Sequence, residues 1–387
     1  MPTINKHFKD IKLSAIKDIL NLIAQTEGVV SLAWGLPNYS LDDTLKEHLL
    51  NEINNNSNIN KYPPFRGLGI LKDQIVLNIQ EKHSLKIKED NILITVGAME
   101  ALHIIFELII NEGDEVILFT PSYASHIGQI QLSGAKVVQL KLDESKGWII
   151  DFSFLEKTIS KKTKAILFSN PNNPTGTIYQ RETLLKLIEI AKEEDIFLIS
   201  DETYHFLSYE EKPASLLDFA QNKNLLTVRS FSKEFAMTGF RIGYLVGDTR
   251  LVNEMYKAHD ATVGFTPTIS QYAAYLAMTK LPVETARFYS QDFREKRDLM
   301  VRELKKYHDI LDFTIPQGAY YILPRYKLSM PSYPLAKDLI LKAKVGVVPG
   351  SGFGQGGENH LRLSFAGEKK DIVEGVRRLG EYFNNLK

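Results

Sequence analysis

Cysteine is absent from this chain of 387 residues. Its absence excludes disulfide bonds, thiolate catalysis and metal sites built from cysteine. We predict no metal centre. A chain without disulfides suits a reducing compartment, so we expect a cytoplasmic protein.

The chain also lacks a net charge and long apolar runs. Lys plus Arg and Asp plus Glu number 47 each, so no net field attracts nucleic acid or an anionic membrane. No run approaches the roughly 20 apolar residues that span a bilayer. The first residues, Met1 to Lys6, lack the apolar core of a secretory signal. We therefore expect no nucleic-acid partner and no membrane association.

Apolar runs alternate with helical patterns through the middle of the chain. This alternation predicts an α/β fold, in which a large domain holds a mostly parallel, seven-stranded sheet with helices on both faces. In such a sheet ligands bind where the strands end at their carboxyl edge, so the turns after the strands are the candidate site. The predicted strands are 92–95, 115–119, 136–140, 165–169, 197–200, 225–228 and 243–246.

The outer parts of the chain predict a second, smaller unit. We expect a large domain at 36–275 and a small α+β domain formed by 1–35 together with 276–387. The predicted elements outside the sheet are one long connecting helix at 270–307, a helix at 335–344, short strands at 313–315, 319–323, 346–348 and 361–365, and an asparagine-rich loop at 51–60.

A lysine follows the strand 225–228, in the stretch Ser230-Phe231-Ser232-Lys233, and Arg241 comes eight residues later. Taken alone, such a lysine is more often an ordinary solvated side chain. A lysine held away from water beside a cation has a lowered pKa, and its free amine forms Schiff bases. The serines and the arginine suit an anion, so the pattern favours a lysine that anchors a cofactor.

Two more strand ends present polar side chains. Pro174 holds Asn173 with its amide free to point into a site, although a simple tight turn is the alternative. Asp201 follows a buried strand, where a carboxylate is costly unless it is paired. A protonated ring nitrogen would be a suitable partner, and a helix N-cap is the other interpretation. Tyr204 is placed to contact the same ligand.

A glycine turn follows the strand 92–95. Gly97, Ala98 and Met99 begin a predicted helix, whose exposed N–H groups suit a phosphate. Glycine turns of this kind are common, so the signal is weak by itself.

Tyr123 and Arg362 are the remaining candidates. Tyr123 follows the strand 115–119 and is suited either to stack on a flat ring or to pack in the core. Arg362 interrupts the apolar alternation of 361–365, where a carboxylate ligand explains a buried arginine better than solvation does.

In this order the motifs resemble the class I/II aminotransferase family of pyridoxal-phosphate enzymes with fold type I, from about Val29 through Ala366. The matching positions are Asn173, Asp201, Tyr204, Ser230, Ser232, Lys233, Arg241 and Arg362. The resemblance implies an aminotransferase of amino-acid metabolism that uses pyridoxal 5′-phosphate. It would exchange the amino group between an L-amino acid and a 2-oxo acid.

The resemblance also implies roles in catalysis. Lys233 would bind the cofactor covalently and then move the proton at the substrate Cα, while Asp201 would keep the ring nitrogen protonated. Asn173 and Tyr204 would bind the ring oxygen, and Tyr123 would stack on the ring.

Further implied roles concern the ends of the two ligands. Arg362 would bind the substrate carboxylate, assisted by Asn173 and the backbone at Gly35. Tyr62 matches a family tyrosine that reaches the phosphate of the neighbouring subunit, which implies a homodimer with shared sites. The implied phosphate ligands are Gly97, Ala98, Met99, Ser230, Ser232 and Arg241.

The sequence offers no second basic residue with a motif for a distal substrate carboxylate. Candidates for an apolar or aromatic side-chain pocket are Trp34, Tyr39, Phe265 and Tyr320. We therefore expect neutral or aromatic amino acids as substrates, with an aspartate-type dicarboxylic aminotransferase as the alternative.

Two other functions remain open on the same scaffold. A carbon–sulfur β-lyase would use the same residues around the cofactor and differ in what surrounds Cβ. A transcriptional regulator that uses this fold as a ligand sensor would need an additional DNA-binding domain. Only about 28 residues precede the first match, so we expect an enzyme and not a regulator.

Overall fold

The structure is a computed structural model that describes residues 15–83, 85–219 and 223–386. The strands are β1 Val30–Ser31, β2 Ile92–Thr95, β3 Glu115–Thr120, β4 Lys136–Lys141, β5 Thr163–Ser169, β6 Phe197–Asp201, β7 Leu225–Ser230, β8 Gly243–Val246, β9 Leu311–Asp312, β10 Tyr321–Ile322, β11 Arg325–Tyr326, β12 Val345–Gly346, β13 Val348–Pro349 and β14 Leu361–Ser364. The helices are α1 Ala15–Gln25, α2 Asp43–Asn55, α3 Gly69–His83, α4 Gly97–Ile109, α5 Ala124–Leu132, α6 Phe152–Thr158, α7 Arg181–Glu193, α8 Phe231–Glu234, α9 Thr249–Thr262, α10 Thr268–Lys280, α11 Val283–Lys305, α12 Ser332–Asp338 and α13 Lys369–Asn384.

A seven-stranded sheet lies at the centre of the fold, in the order β2-β8-β7-β6-β5-β3-β4. Strand β8 is antiparallel to both of its neighbours, and the other neighbouring pairs are parallel. The predicted α/β fold with a mostly parallel sheet is therefore confirmed. The carboxyl ends of β3, β5, β6 and β7 lie at the same edge, where the candidate residues follow them.

Apolar side chains attach helices to both faces of this sheet, because successive strand residues point to opposite sides. Phe106 of α4 and Met255 of α9 belong to the core on one face. Leu184 and Leu187 of α7 belong to the core on the other face. A third apolar cluster joins α2, α3 and α10 to β2 and β8, next to the edge of the sheet.

The N-terminal and C-terminal parts of the described chain share a separate apolar core. It joins α1 to α11, α12 and α13 through buried residues such as Ile19, Phe293 and Val376. Strand β1 pairs with β12 in parallel, which connects the two ends of the chain. Tyr204, Leu207 and Tyr209 from the middle of the chain also belong to this core. The domain boundaries at 36–275 and at 1–35 with 276–387 stay a prediction, and residues 1–14 lie outside the described ranges.

The prediction of a single connecting helix at 270–307 was wrong. Helix α10 ends at Lys280 and α11 begins at Val283, with Pro282 between them. Proline lacks an amide hydrogen and restricts the residue before it, so the helix stops there.

The prediction of a loop at 51–60 was wrong for its first half, because α2 continues through Asn55. The side chain of Asn55 donates to the backbone oxygen of Asn51 within the last turn, so the polar residues extend a helix whose buried side is already anchored by Leu45 and Leu49.

Three short elements near the C-terminus also differ from the prediction. Phe313 packs against the core without forming a strand, and β9 lies just before it. The strand predicted at 346–348 is two strands, because β12 pairs with β1 and β13 pairs with β14. The predicted helix at 335–344 begins earlier, at Ser332, since proline is tolerated in a first turn. It ends as a π-helix at Leu339–Ala343.

In the described ranges, no helix has both the length and the apolar character needed to cross a membrane.

Candidate active site

The strand ends surround a cavity of about 360 Å³. Most of the residues predicted from the sequence line it, although they come from distant parts of the chain. These are Gly35, Ala98, Met99, Tyr123, Asn173, Asp201, Tyr204, Ser230, Ser232, Lys233, Arg241 and Arg362. Of the predicted residues, Gly97 and Tyr62 do not line it.

Lys233 lies in α8, the short helix that follows β7. Its Nζ donates to the backbone oxygen of Gly35 at 2.7 Å. Burial, followed by the nearby cations Arg241 and Arg362, lowers the pKa of Lys233 from 10.5 to about 8. At pH 8, Lys233 is therefore an uncharged amine in about half of the molecules. The uncharged amine is the form that attacks a carbonyl carbon.

Asp201 ends strand β6 and is nearly buried. Burial alone would raise its pKa, but hydrogen bonds from His126 and Thr203 outweigh burial and hold the pKa below its ordinary value. The hydroxyl of Thr203 donates at 2.7 Å. The carboxylate is therefore ionised and suited to pair with a protonated ring nitrogen.

His126 was not among the predicted residues. Its Nε2 lies 3.0 Å from a carboxylate oxygen of Asp201, and its Nδ1 lies 3.0 Å from the hydroxyl of Ser122. The side chain is fully buried. His126 follows Tyr123 by one helical turn in the sequence, but only the packing of α5 on the sheet brings it to a residue that lies 75 positions away.

Tyrosines form another part of the cavity wall. The hydroxyl of Tyr204 lies 2.9 Å from that of Tyr321. Burial, followed by the neighbouring Tyr320 and Tyr321, raises the pKa of Tyr204 well above its ordinary value, so this phenol stays neutral and can donate a hydrogen bond. Tyr321 lines the cavity and was missed, because its place in a predicted strand gave no sign of its neighbours.

Arg362 lies in β14 and points into the same cavity. Its Nη1 donates to Oδ1 of Asn173 at 3.2 Å, and its Nη2 donates to the backbone oxygen of Ala33 at 2.9 Å. The guanidinium lies 4.3 Å from the centre of the Tyr321 ring. Its buried Nε has no protein partner. An unpaired buried donor on a guanidinium suits a carboxylate ligand, since arginine binds carboxylates in a fork.

The turn between β2 and α4 suits a phosphate. Gly97 has a φ of 78°, and a Cβ added to it would lie 2.8 Å from Nη2 of Arg241. Glycine therefore allows the guanidinium to approach the helix N-terminus, where the N–H groups of Ala98 and Met99 have no partner within the helix.

Two hydroxyls line the same part of the cavity, those of Ser230 and Ser232. A guanidinium, two hydroxyls and the N–H groups of a helix form a donor set that fits a phosphate group. The residues present therefore fit pyridoxal 5′-phosphate, with Lys233 for its aldehyde and Asp201 for its ring nitrogen.

The predicted side-chain pocket was mostly wrong. Trp34 lines the cavity, but Tyr39 stacks on Tyr289 of α11 at 4.3 Å. Phe265 stacks on Tyr62 at 4.7 Å. Tyr320 is buried behind the wall, where its hydroxyl donates to the Gly35 oxygen. Apolar side chains that were not predicted line the cavity instead: Ile16, Leu20, Leu36 and Leu102.

Comparisons with known proteins show the family to which the chain is related. A family model described as aminotransferase class I and II matches residues 27–379. The chain is 34% identical to a probable aspartate aminotransferase of Methanocaldococcus jannaschii, over 98% of this chain and 100% of the relative.

Solved structures are similar along nearly the whole chain. Aspartate aminotransferase from Thermotoga maritima has a TM-score of 0.91 at 30% identity, covering 98% of this chain and 100% of that one. An aromatic aminotransferase from Pyrococcus horikoshii has a TM-score of 0.89 at 26% identity, covering 95% and 99%. The chain therefore belongs to the class I and II aminotransferase family.

Proposed function

We propose that this aminotransferase holds pyridoxal 5′-phosphate in the cavity around Lys233 and transfers the amino group of a neutral or aromatic L-amino acid to a 2-oxo acid. The main support is one arrangement: the partly buried amine of Lys233 lines the same cavity as Arg241 and Arg362, and burial and these two cations lower its pKa to about 8. When bound, pyridoxal phosphate supplies an electron-accepting ring that stabilises negative charge at the substrate Cα.

Each residue has a distinct task in this proposal. Arg362 binds the α-carboxylate and thereby orients the substrate, because its fork fixes two oxygens at once. Lys233, as a free amine, takes the proton from Cα and returns a proton to complete the transfer. Asp201, held by His126, keeps a proton on the ring nitrogen. Tyr204 donates to the ring oxygen.

Two ring contacts and the phosphate contacts complete the proposed site. Asn173 accepts a hydrogen bond from Arg362 and also binds the ring oxygen. Tyr123 stacks on the ring face. The proposed phosphate ligands are the backbone at Gly97, Ala98 and Met99 and the side chains of Ser230, Ser232 and Arg241.

The wall of the cavity supports a neutral or aromatic substrate. Among the described residues that line it, the basic ones are Lys233, Arg241 and Arg362, and each already has a task. The lining also includes the apolar side chains of Trp34 and Leu36, which offer a distal carboxylate no cationic partner. Relatives are named for aspartate and for aromatic substrates, so both classes belong in the test.

The test is a half-reaction. The protein loaded with pyridoxal phosphate is mixed with one amino acid at a time, and the loss of cofactor absorbance is followed together with the oxo acid formed. We expect phenylalanine, tyrosine, leucine and methionine to react with a stoichiometry of one. Reaction with aspartate or glutamate alone would establish the dicarboxylic alternative. Catalytic release of pyruvate and ammonia from a cysteine conjugate, without stoichiometric transfer, would establish a β-lyase.

A homodimer with shared sites is also part of the proposal. Tyr62 is 82% exposed and its ring rests on Phe265, so its hydroxyl is available to the phosphate of a second copy. A cytoplasmic location is proposed as well, and it rests on the composition without cysteine.

A further inference from the structure

A buried pair of side chains lies behind the turn that precedes α4. Glu100, in the first turn of α4, is 8% exposed, and His259 of α9 is 3% exposed. The Nδ1 of His259 lies 2.7 Å from one carboxylate oxygen of Glu100. The other oxygen accepts a hydrogen bond from the backbone N–H of Val96. The carboxylate therefore joins the turn to a helix packed on the same face of the sheet.

This contact determines which donors of the turn are left for a ligand. Val96 is the residue before α4, and its N–H is bound to Glu100. Ala98 and Met99 line the cavity, and N–H groups in the first turn of a helix have no partner within the helix. The left-handed backbone of Gly97 is held from the other side, because the hydroxyl of Thr95 donates to the Gly97 oxygen at 3.0 Å.

Glu100 is an acidic residue next to the turn that is proposed to bind a phosphate. A carboxylate free to rotate near a bound phosphate would repel it, since like charges at short range in a protein interior interact strongly. Both oxygens of Glu100 are instead directed to Val96 and His259. The carboxylate thus accepts a hydrogen bond from the turn and lies within hydrogen-bonding distance of His259.

We propose that Glu100 and His259 are positioning residues, which fix the turn at 96–98 so that its N–H groups bind the phosphate of the cofactor. This inference rests on the proposed function, because it requires that pyridoxal phosphate binds here. Neither residue lines the cavity, so their effect reaches the ligand through the backbone of the turn.

The test compares two aldehydes that differ only in the phosphate, pyridoxal 5′-phosphate and pyridoxal. Both are titrated against the cofactor-free full chain, and absorbance gives each dissociation constant. In Glu100→Ala the affinity for pyridoxal phosphate should fall about tenfold, the loss expected for a hydrogen bond to a charged group. The affinity for pyridoxal should change less than about threefold, because Lys233 and Asp201 are untouched.

Two variants separate positioning from charge. Glu100→Gln keeps an oxygen for Val96 and should recover affinity to within about threefold of wild type. Glu107→Ala is the matched control on the same helix, since this side chain is 45% exposed, and it should change neither affinity. If repulsion by the carboxylate dominates, both Glu100 variants will bind pyridoxal phosphate more tightly than wild type, which would overturn the proposal.

His259→Ala tests the same inference independently, and it can be used if Glu100→Ala does not fold. It removes one anchor of the carboxylate and should weaken pyridoxal phosphate binding about threefold or more, with pyridoxal unchanged. Equal loss for both aldehydes in these variants would overturn the inference but leave the proposed function standing. A wild-type chain that binds neither aldehyde would overturn both.

Discussion

We propose that Lys233 is reactive because burial and two nearby arginines lower its pKa. Because its pKa is lowered to about 8, the fraction of free amine rises with pH and reaches one half near pH 8. The rate at which the cofactor-free protein reacts with pyridoxal should therefore increase from pH 6.5 to about 9 and then level off. Stopped-flow absorbance measures this rate, and Lys233→Ala is the control. A rate that keeps rising towards pH 10.5, as for a solvated lysine, would contradict the account.

We propose that carboxylate binding at Arg362 needs the planar fork of the guanidinium and not only its positive charge. The Nη1 and Nη2 of Arg362 donate to Asn173 and Ala33, and its Nε has no protein partner. In Arg362→Lys the planar fork is lost, so KM for the amino acid should rise about 100-fold, equivalent to roughly 2–3 kcal/mol. The affinity for pyridoxal phosphate should stay within about threefold. Steady-state kinetics measures the first quantity and a cofactor titration the second.

The matched control for Arg362→Lys is Arg377→Lys, since Arg377 forms its ion pairs on the exposed face of α13. This variant should behave as wild type. A normal KM in Arg362→Lys would assign carboxylate binding to another group.

At the scale of elements, the ends of β6 and β7 are joined by a buried ion pair behind the cavity. Arg229 and Glu202 are each 1% exposed, with Nη2 and Oε2 at 2.9 Å, and they are the sequence neighbours of Ser230 and Asp201. Arg229→Met leaves the carboxylate buried without its cation. The free energy of unfolding, measured in urea, should fall by about 3–5 kcal/mol.

Two further variants test the cause of that loss. Combining Arg229→Met with Glu202→Leu should recover much of the stability, because the unpaired charge is then gone. Lys257→Ala, which removes an exposed pair with Glu254, should cost less than about 1 kcal/mol. A loss that persists in the double variant would mean that packing around Arg229, and not the charge of Glu202, determines the cost.

The strands of the large sheet were predictable because they are short apolar runs, each bounded by polar turns. The breaks in regular structure were harder. Pro282 marks one helix end plainly, whereas the π-helix at Leu339–Ala343 has no local signal. The division of the predicted strand at 346–348 depends on pairing with β1 and β14, and these partners are remote in sequence.

In the candidate site, too, the residues with a local sequence signal were predictable, and those defined by contacts to distant residues were not. Lys233 and Asp201 stood out because each combines a special residue type with a strand end, and Arg362 because its charge interrupts an apolar strand. His126 and Tyr321 did not, because their roles come from contacts to residues 75 and 117 positions away. The side-chain pocket failed for a related reason: aromatic residue type alone does not show which side of a wall a ring occupies.

For the molecule as a whole, the proposed dimer makes Tyr62 a ligand of the site in a second copy. In Tyr62→Ala the affinity for pyridoxal phosphate should fall about tenfold, since one hydrogen bond to a charged group is lost. The chain should still elute as a dimer. Size-exclusion chromatography with light scattering and a cofactor titration measure the two properties. A monomeric wild type, or an unchanged affinity in the variant, would contradict shared sites.

In the proposed function, Lys233 moves the proton at the substrate Cα in this cavity. The most direct measurement is exchange of the Cα proton of L-phenylalanine with D₂O in the presence of the protein and pyridoxal phosphate, followed by NMR. Wild type should catalyse the exchange, and Lys233→Ala should slow it by about 10²–10⁴-fold, the usual contribution of a positioned base. Exchange at the wild-type rate in Lys233→Ala would contradict the account.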